Sequence, residues 1–290
     1  LEFVGWFGFG HWRHFVWCSP SFGETIQLIF HGFSLPHSAP MSSPLKFLAF
    51  ETSTDMMSVA VGVGDQTWHL HTQGGANASA QLIPSIHNLL AQAQLHLTDL
   101  DALVIGHGPG SFTGLRTACS VAQGLGLGAN LKVITIDTLM AVAEDARASL
   151  STALATQVSV VMDARMGEVY GGAYAWHADS AQWQATVPLQ VGPPAQVAHA
   201  LITAHALSGV LAGNGFDVDA DAFSEALAKR SGSPVVCVPA MPHALALLRL
   251  APALWLAGKA VDPADVQPLY IRDKVAQTTA ERDAIKAAKL

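Results

Sequence analysis

Charge is scarce in this chain. Only 13% of its 290 residues are Asp, Glu, Lys or Arg, while half are hydrophobic. That balance excludes a disordered polymer and points to a folded chain long enough to bury a large core. Basic residues are scarcer still, 15 against 22 acidic, for a formal charge of −7. The deficit argues against an autonomous grip on nucleic acid, though not against acting on RNA through a more basic partner. Cysteine is limited to Cys18, Cys119 and Cys237, too sparse for a disulfide framework or a thiolate zinc site, so a cytoplasmic location is expected. No HExxH or HxxxH string occurs, and no metal site is expected. In residues 1–40 no apolar run is long enough to cross a bilayer, and no membrane partner is expected.

Aromatic residues are unevenly spread. Residues 1–40 hold ten of the 22 Phe, Trp and Tyr residues and only three charges, Glu2, Arg13 and Glu24. Glycine, histidine and proline break every apolar run there, unlike the apolar region of a signal peptide. Met41 then opens a conventional beginning, so 1–40 is read as a non-native or mis-started leader, with a membrane-touching aromatic segment as the alternative.

From Met41 onward apolar runs alternate with turn signals. Strands are expected at 46–50, 58–63 and 67–72, then a helix over about 79–95. A short buried strand at 102–106 leads through a glycine loop into a helix ending near 129, followed by a strand at 131–136 and a helix at 138–149. A second unit begins near Gln157 with VSVVMD and EVYGGAYAW around a turn at 164–167. Helical and strand patterns then alternate to a polar tail from about 278. The expected organisation is an N-terminal α/β domain at 41–150 and a C-terminal one at 151–290, joined around 148–156. No short repeat is visible, although both halves open strand-turn-strand.

The stretch GHGPGSFTGLR at 106–116 holds four glycines. It is not a Walker A loop, because Leu115 stands where that loop needs lysine. Its glycines miss the dinucleotide spacing by one residue, and Phe112 occupies the position of an esterase serine, so there is no nucleophile elbow. Two readings stay open: a tight strand-to-helix turn capped by Ser111, or an anion site in which Gly110, Ser111 and Arg116 face a phosphate. Along the helix, Gly114, Ala118, Ala122 and Gly126 recur every four residues. Glycine costs about 1 kcal/mol relative to alanine in a helix interior, so a closely packed neighbour is expected on that face. The stripe of Leu82, Ile83, Ile86, Leu89 and Leu90 on the preceding helix is a natural one.

Two polar clusters add weaker signals. Glu51, Thr52, Ser53, Thr54 and Asp55 form a hydroxyl-rich strand-to-strand turn that suits a phosphate or ordinary turn chemistry. Asp163 ends a buried strand and Arg165 lies at a hairpin tip, either as a structural ion pair or as an acid facing a cleft.

Taken in order, FLAFETST, GHGPGSFTGLR, AQGLGLG, VVMDARMGEVYGGAY and PLYIR resemble the TsaB (YeaZ) family over residues 41–275. The resemblance implies a two-domain actin-like ATPase fold (ASKHA, ribonuclease H-like) with mixed sheets flanked by helices. ETST matches the first phosphate loop of that fold and DARMGEVY lies where the second would be. Glu51 stands where the superfamily has aspartate, which argues against autonomous ATP hydrolysis. The resemblance also implies a non-catalytic scaffold subunit in threonylcarbamoylation of the adenosine next to the anticodon of tRNA. Its partners would be TsaD and TsaE family proteins, with tRNA reached through the complex and a homodimer formed when alone. No cofactor of its own is implied; ATP or ADP would bind weakly or at the partner interface. The pairing surface would be the helices at 79–95 and 111–129, through Leu82, Ile83, Ile86, Leu90, Gly114, Leu115, Ala118, Ala122 and Gly126. The alternatives are an autonomous ATPase or small-molecule kinase of the same fold and, last, a peptidase.

Overall fold

The computed structural model describes residues 43–150, 156–204, 206–207, 209–228 and 234–272. The expected leader, the polar tail and most of the expected joint lie outside them. The described chain runs through one order of elements twice. The first pass is β1 (Lys46–Glu51), β2 (Met56–Val63), β3 (Gln66–Gln73), α1 (Ala78–Gln92), β4 (Ala102–Gly108), α2 (Phe112–Ala129), β5 (Lys132–Asp137) and α3 (Thr138–Ser149). The second is β6 (Gln157–Arg165), β7 (Glu168–His177), β8 (Gln182–Gly192), α4 (Pro194–Thr203), β9 (Val210–Gly213), α5 (Ala220–Ala228), β10 (Val236–Val238) and α6 (Ala244–Leu256).

Each pass builds a five-stranded mixed sheet, ordered β3-β2-β1-β4-β5 and β8-β7-β6-β9-β10. Three strands meander antiparallel in each sheet, and two more join in parallel beside the first strand. This is the ribonuclease H-like arrangement, doubled as in the actin-like ATPases. The repeat is one of topology and leaves no shared string in the sequence.

Alternation along the central strands explains the layering. In β1, Phe47 and Ala49 enter a core shared by both sheets, while Leu48 and Phe50 enter a second core beneath α1 and α2. In β6, Val158, Val160 and Met162 face the shared core, and Val161 faces a third core beneath α4 and α5. A strand buried on both faces reads as a continuous apolar run, which is why these strands were plain in the sequence.

The shared core holds α3 and α6, and each packs on the opposite half: α3 against β6, α6 against β1 and β2. A charged knot fixes them. The fully buried Glu144 of α3 accepts from Arg147 Nε and Nη2 at 2.8 Å each, from Arg249 Nε of α6 at 3.0 Å and from Trp183 Nε1 of β8 at 3.1 Å. Beside it His243 pairs with Asp145 at 2.6 Å. A buried carboxylate is tolerated only when its acceptors are filled in this way.

Strand β8 is absent from the sequence reading. Pro188 interrupts its pattern, and the strand carries it because β8 is an edge whose pairing with β7 shifts register between Gly171 and Ala173. Among the described residues no helix is long and apolar enough to cross a membrane.

Candidate functional site

The glycines of 106–116 make room for the chain's own backbone and, at Gly106, for the Glu51 side chain. An added Cβ at Gly106 would lie 1.6 Å from Glu51 Oε2, at Gly110 2.6 Å from Ser53 O, and at Gly114 1.8 Å from Thr52 O. The loop after β4 is thus pressed onto the loop after β1. Ser111 N donates to Ser53 O at 2.7 Å and Thr52 Oγ1 to Gly114 O at 2.8 Å, sewing the two together. Ser111 caps α2 through Gly114 N at 3.5 Å. The second half repeats the device: at the end of β9, a Cβ at Gly213 would meet Val161 O at 1.9 Å, and just beyond it one at Gly215 would meet Met162 N at 2.8 Å.

Between these loops lies a cleft of about 450 Å³, lined by the turn after β1, the glycine loop, the β6–β7 hairpin, Asn214 and residues 269–272. Of the sequence candidates, Ser53, Thr54, Gly110, Ser111, Asp163 and Arg165 line it together. Glu51 and Thr52 are buried beneath the turn. Burial raises the Glu51 carboxyl above the usual range, partly offset by hydrogen bonding from Ser53, whose N–H donates to Oε1 at 2.6 Å.

Arg116 departs from expectation. It leaves the cleft, lying 3.8 Å over the Phe112 ring and donating from Nε to Tyr270 Oη at 3.0 Å. Tyr270 stacks on Phe112 with centroids 4.9 Å apart. This trio belongs to a strap formed by 266–272, which Leu269 N ties to His107 O at 2.7 Å and Gln123 Nε2 ties to α2 through Val266 O at 2.9 Å.

Across the cleft Arg165, Met166 and Gly167 take positive φ of 64°, 60° and 75°. Met166 and Gly167 form the two-residue turn that a tight hairpin demands. A bulge between Asp163 and Arg165 turns the guanidinium toward the first half. There Arg165 pairs with Asp55, and with Asp163 at 3.6 Å. The second cation of the cleft, Arg272, is held by Glu168. Among the described residues, every cationic side chain lining the cleft is therefore already matched by a carboxylate.

The pairing-surface expectation needs correction. Leu82, Ile86, Leu90, Gly114, Leu115, Ala118, Ala122 and Gly126 are all buried inside this chain. Ala118 and Ala122 share a core with Leu48 and Phe50, and Gly126 makes room for Pro263. The periodicity correctly demanded a close neighbour, and that neighbour is the chain's own sheet together with Thr52 and Pro263. Of the nine residues named, Ile83 alone is exposed. The outward face of α1 and α2 instead includes Ile83, Pro84, Ser120, Gly124, Leu127 and Gly128. An added Cβ at Gly124 or Gly128 would meet nothing within 4 Å, so no contact among the described residues requires those glycines. Over both helices Arg116 is the sole charged side chain.

Sequence reasoning missed Thr138, Asn214 and Tyr270 as cleft residues. Asn214 stands between two close-packing glycines, a signal the string GNG carried. Thr138 and Tyr270 carried none, since helix packing and the strap bring them in.

Comparison with known proteins places this architecture. A model of the family TsaD, tRNA N6-adenosine threonylcarbamoyltransferase, matches residues 71–193. The chain is 33% identical over 238 residues to the tRNA threonylcarbamoyladenosine biosynthesis protein TsaB of Haemophilus influenzae, covering 80% of this chain and 95% of that one. It is also 33% identical to the Escherichia coli protein of the same name, over 80% of this chain and 96% of its relative. Among solved structures, YeaZ from Pseudomonas aeruginosa aligns at a TM-score of 0.64 and 29% identity, covering 78% of this chain and 99% of that one. Identity of this extent, across nearly the whole of each relative and over the same doubled fold, settles the question of kinship: the chain belongs to the TsaB (YeaZ) family of tRNA threonylcarbamoyladenosine biosynthesis proteins.

Proposed function

We propose that the outward face of α1 and α2 docks a TsaD-family transferase, making this chain the scaffold on which that enzyme works. The chain acts in tRNA threonylcarbamoyladenosine synthesis as a non-catalytic subunit. It reaches tRNA in the cytoplasm through the complex, with a TsaE-family ATPase as further partner, and pairs with itself when alone. The observation that carries this reading is the composition of the outward face. Gly124 and Gly128 cost helix stability with no internal return, and Ile83 and Leu127 expose apolar surface beside them. A glycine-lined, nearly uncharged helix pair suits close approach of a second pair of helices.

Autonomous ATP or phosphoryl chemistry is disfavoured. Among the described residues no lysine lines the cleft, and Arg165 and Arg272 are held by Asp55, Asp163 and Glu168. Any ATP or ADP in the complex belongs to the partner or to the contact with it.

Light scattering on a sizing column, with the chain alone and mixed with TsaD of the same organism, tests the reading. A homodimer should convert to a one-to-one heterodimer. Gly124→Trp with Leu127→Glu should abolish both associations and leave the circular dichroism unchanged. Wild-type association by that variant would overturn the proposed surface.

A further inference from the structure

The strap 266–272 touches both halves of the molecule. Gln123 Nε2 of α2 donates to Val266 O at 2.9 Å. The end of β4 holds the strap twice, Leu269 N donating to His107 O at 2.7 Å and His107 Nδ1 donating to Gln267 O at 3.2 Å. A Cβ at Gly108 would lie 2.5 Å from Leu269 O, so the strap is seated against the β4 backbone. Tyr270 then stacks on Phe112 and accepts from Arg116. Two residues on, Arg272 pairs with Glu168, the first residue of β7, and its Nη1 lies 3.8 Å from Met166 Sδ at the hairpin tip. Only Ile271 stands between the part of the strap laid on α2 and the part clasped to the second half.

The surface under Tyr270 is continuous with the docking face. Phe112, Arg116, Ser120, Gly124 and Leu127 are all exposed and fall within about a third of the circumference of α2. Seven large hydrophobic side chains are exposed among the described residues, and four of them, Ile83, Phe112, Leu127 and Tyr270, lie on α1, α2 or the strap. Such clustering marks an interaction surface. Arg116 supplies its charge. Arg147, Arg165, Arg249 and Arg272 each pair with a carboxylate, whereas Arg116 has none among the described residues and spends only its Nε, on Tyr270. A fixed guanidinium without a counterion, on an otherwise uncharged face, fits a carboxylate of an arriving protein.

We infer that the docking face runs on along α2 to Tyr270, that Arg116 receives a carboxylate of the TsaD-family partner there, and that the strap links docking to the Arg272–Glu168 clasp. This inference rests on the docking reading given above and adds a regulated element to it. The link is reciprocal. A partner lying on Tyr270 holds the strap and tightens the clasp, and a broken clasp leaves Tyr270 loosely set and weakens docking.

Titration of TsaD of the same organism into the full chain, held below its self-pairing concentration, tests it. Tyr270→Ala and Arg116→Glu should each weaken association about ten-fold. Arg272→Gln and Glu168→Gln, neither on the docking face, should each weaken it about five-fold, and the two combined no more than either alone. Hydrogen exchange on the wild-type chain needs no variant: TsaD should slow the amides of 165–168 as well as those of 269–272, and Arg272→Gln should abolish the effect at 165–168. Unchanged affinity in both clasp variants, or exchange at 165–168 that TsaD leaves unaltered, would overturn the inference. Weaker tRNA retention by the Arg116→Glu complex with unchanged protein association would also overturn it, and would give the patch to RNA. Should a clasp variant fail to fold, exchange on the wild-type chain decides alone. If Gly124→Trp with Leu127→Glu still associates, the docking reading falls; if it does not, while the clasp variants bind like wild type, only the link falls.

Discussion

The two halves of the molecule share a topology and a glycine device but differ in their outer helices. In both, glycines at or beyond the end of the fourth strand press against the first strand or the turn that follows it: Gly110 and Gly114 on residues 52–53, Gly213 and Gly215 on residues 161–162. Beyond that turn they part. The first half continues into the 18-residue α2, with four glycines and one charge. The second continues into the nine-residue α5, with no glycine and with Asp221 and Glu225. Large exposed hydrophobic side chains occur on α1 and α2 and are absent from α4 and α5. The comparison separates two uses of glycine that look identical in a sequence: one required by the fold, present in both halves, and one that the fold does not require, present in only one.

The largest expected effect concerns what holds the halves together. Glu144→Ala would strand Arg147, Arg249 and Trp183 around an empty site and should cost about 3–5 kcal/mol in urea unfolding. A loss under about 1 kcal/mol would show that the halves do not lean on this knot.

Next comes an asymmetry in titration. Asp137, at the end of β5, caps α3 and accepts from Tyr174 of the second half, and burial lifts its carboxyl to about 6. The corresponding end of β10 is Val238. Because its folded value lies above the unfolded one, Asp137 contributes stability in full below about pH 4 and loses it as pH rises through 6, by roughly 3 kcal/mol in total. Asp137→Asn should remove that dependence. The stability difference between wild type and variant, followed from pH 4 to 7, should therefore drift by this order; a flat difference would place the titration elsewhere.

The smallest effect sharpens the glycine comparison directly. Gly114→Ala should destabilise by about 1–3 kcal/mol, because a backbone carbonyl blocks the new methyl. Gly124→Ala, ten residues along the same helix, should stabilise the dissociated monomer by up to about 1 kcal/mol. Thermal melts at low protein concentration would distinguish them, and like signs would erase the distinction.

Much of this was legible beforehand. Strands β1, β4 and β6 announced themselves because both faces are buried, and the small-residue period of α2 announced a close neighbour. What periodicity could not say was on which side that neighbour lies. Ala118 and Gly124 differ only by their angle around the helix, and the angle acquires meaning only once the sheet is in place. The cleft was half visible for a similar reason. Ser53, Gly110 and Asp163 sit in turns with recognisable chemistry, whereas Thr138 opens a helix like any other and becomes a cleft residue because α3 crosses to the second sheet. Arg116 was read toward the loop that precedes it; the stacked ring of Phe112, one turn earlier, and Tyr270 drew it outward.

The crossing of α3 and α6 has a consequence for how the protein is made. Sheet β3-β2-β1-β4-β5 is complete once residue 137 has been synthesised, but one of its faces is closed by α6, at residues 244–256. Until that helix leaves the ribosome, Phe47, Ala49 and Ala60 have no permanent cover. The first half is therefore obliged to wait for the last helix of the second, and a message truncated before α6 would yield a nascent chain with an open apolar sheet, a natural target for chaperones and proteases.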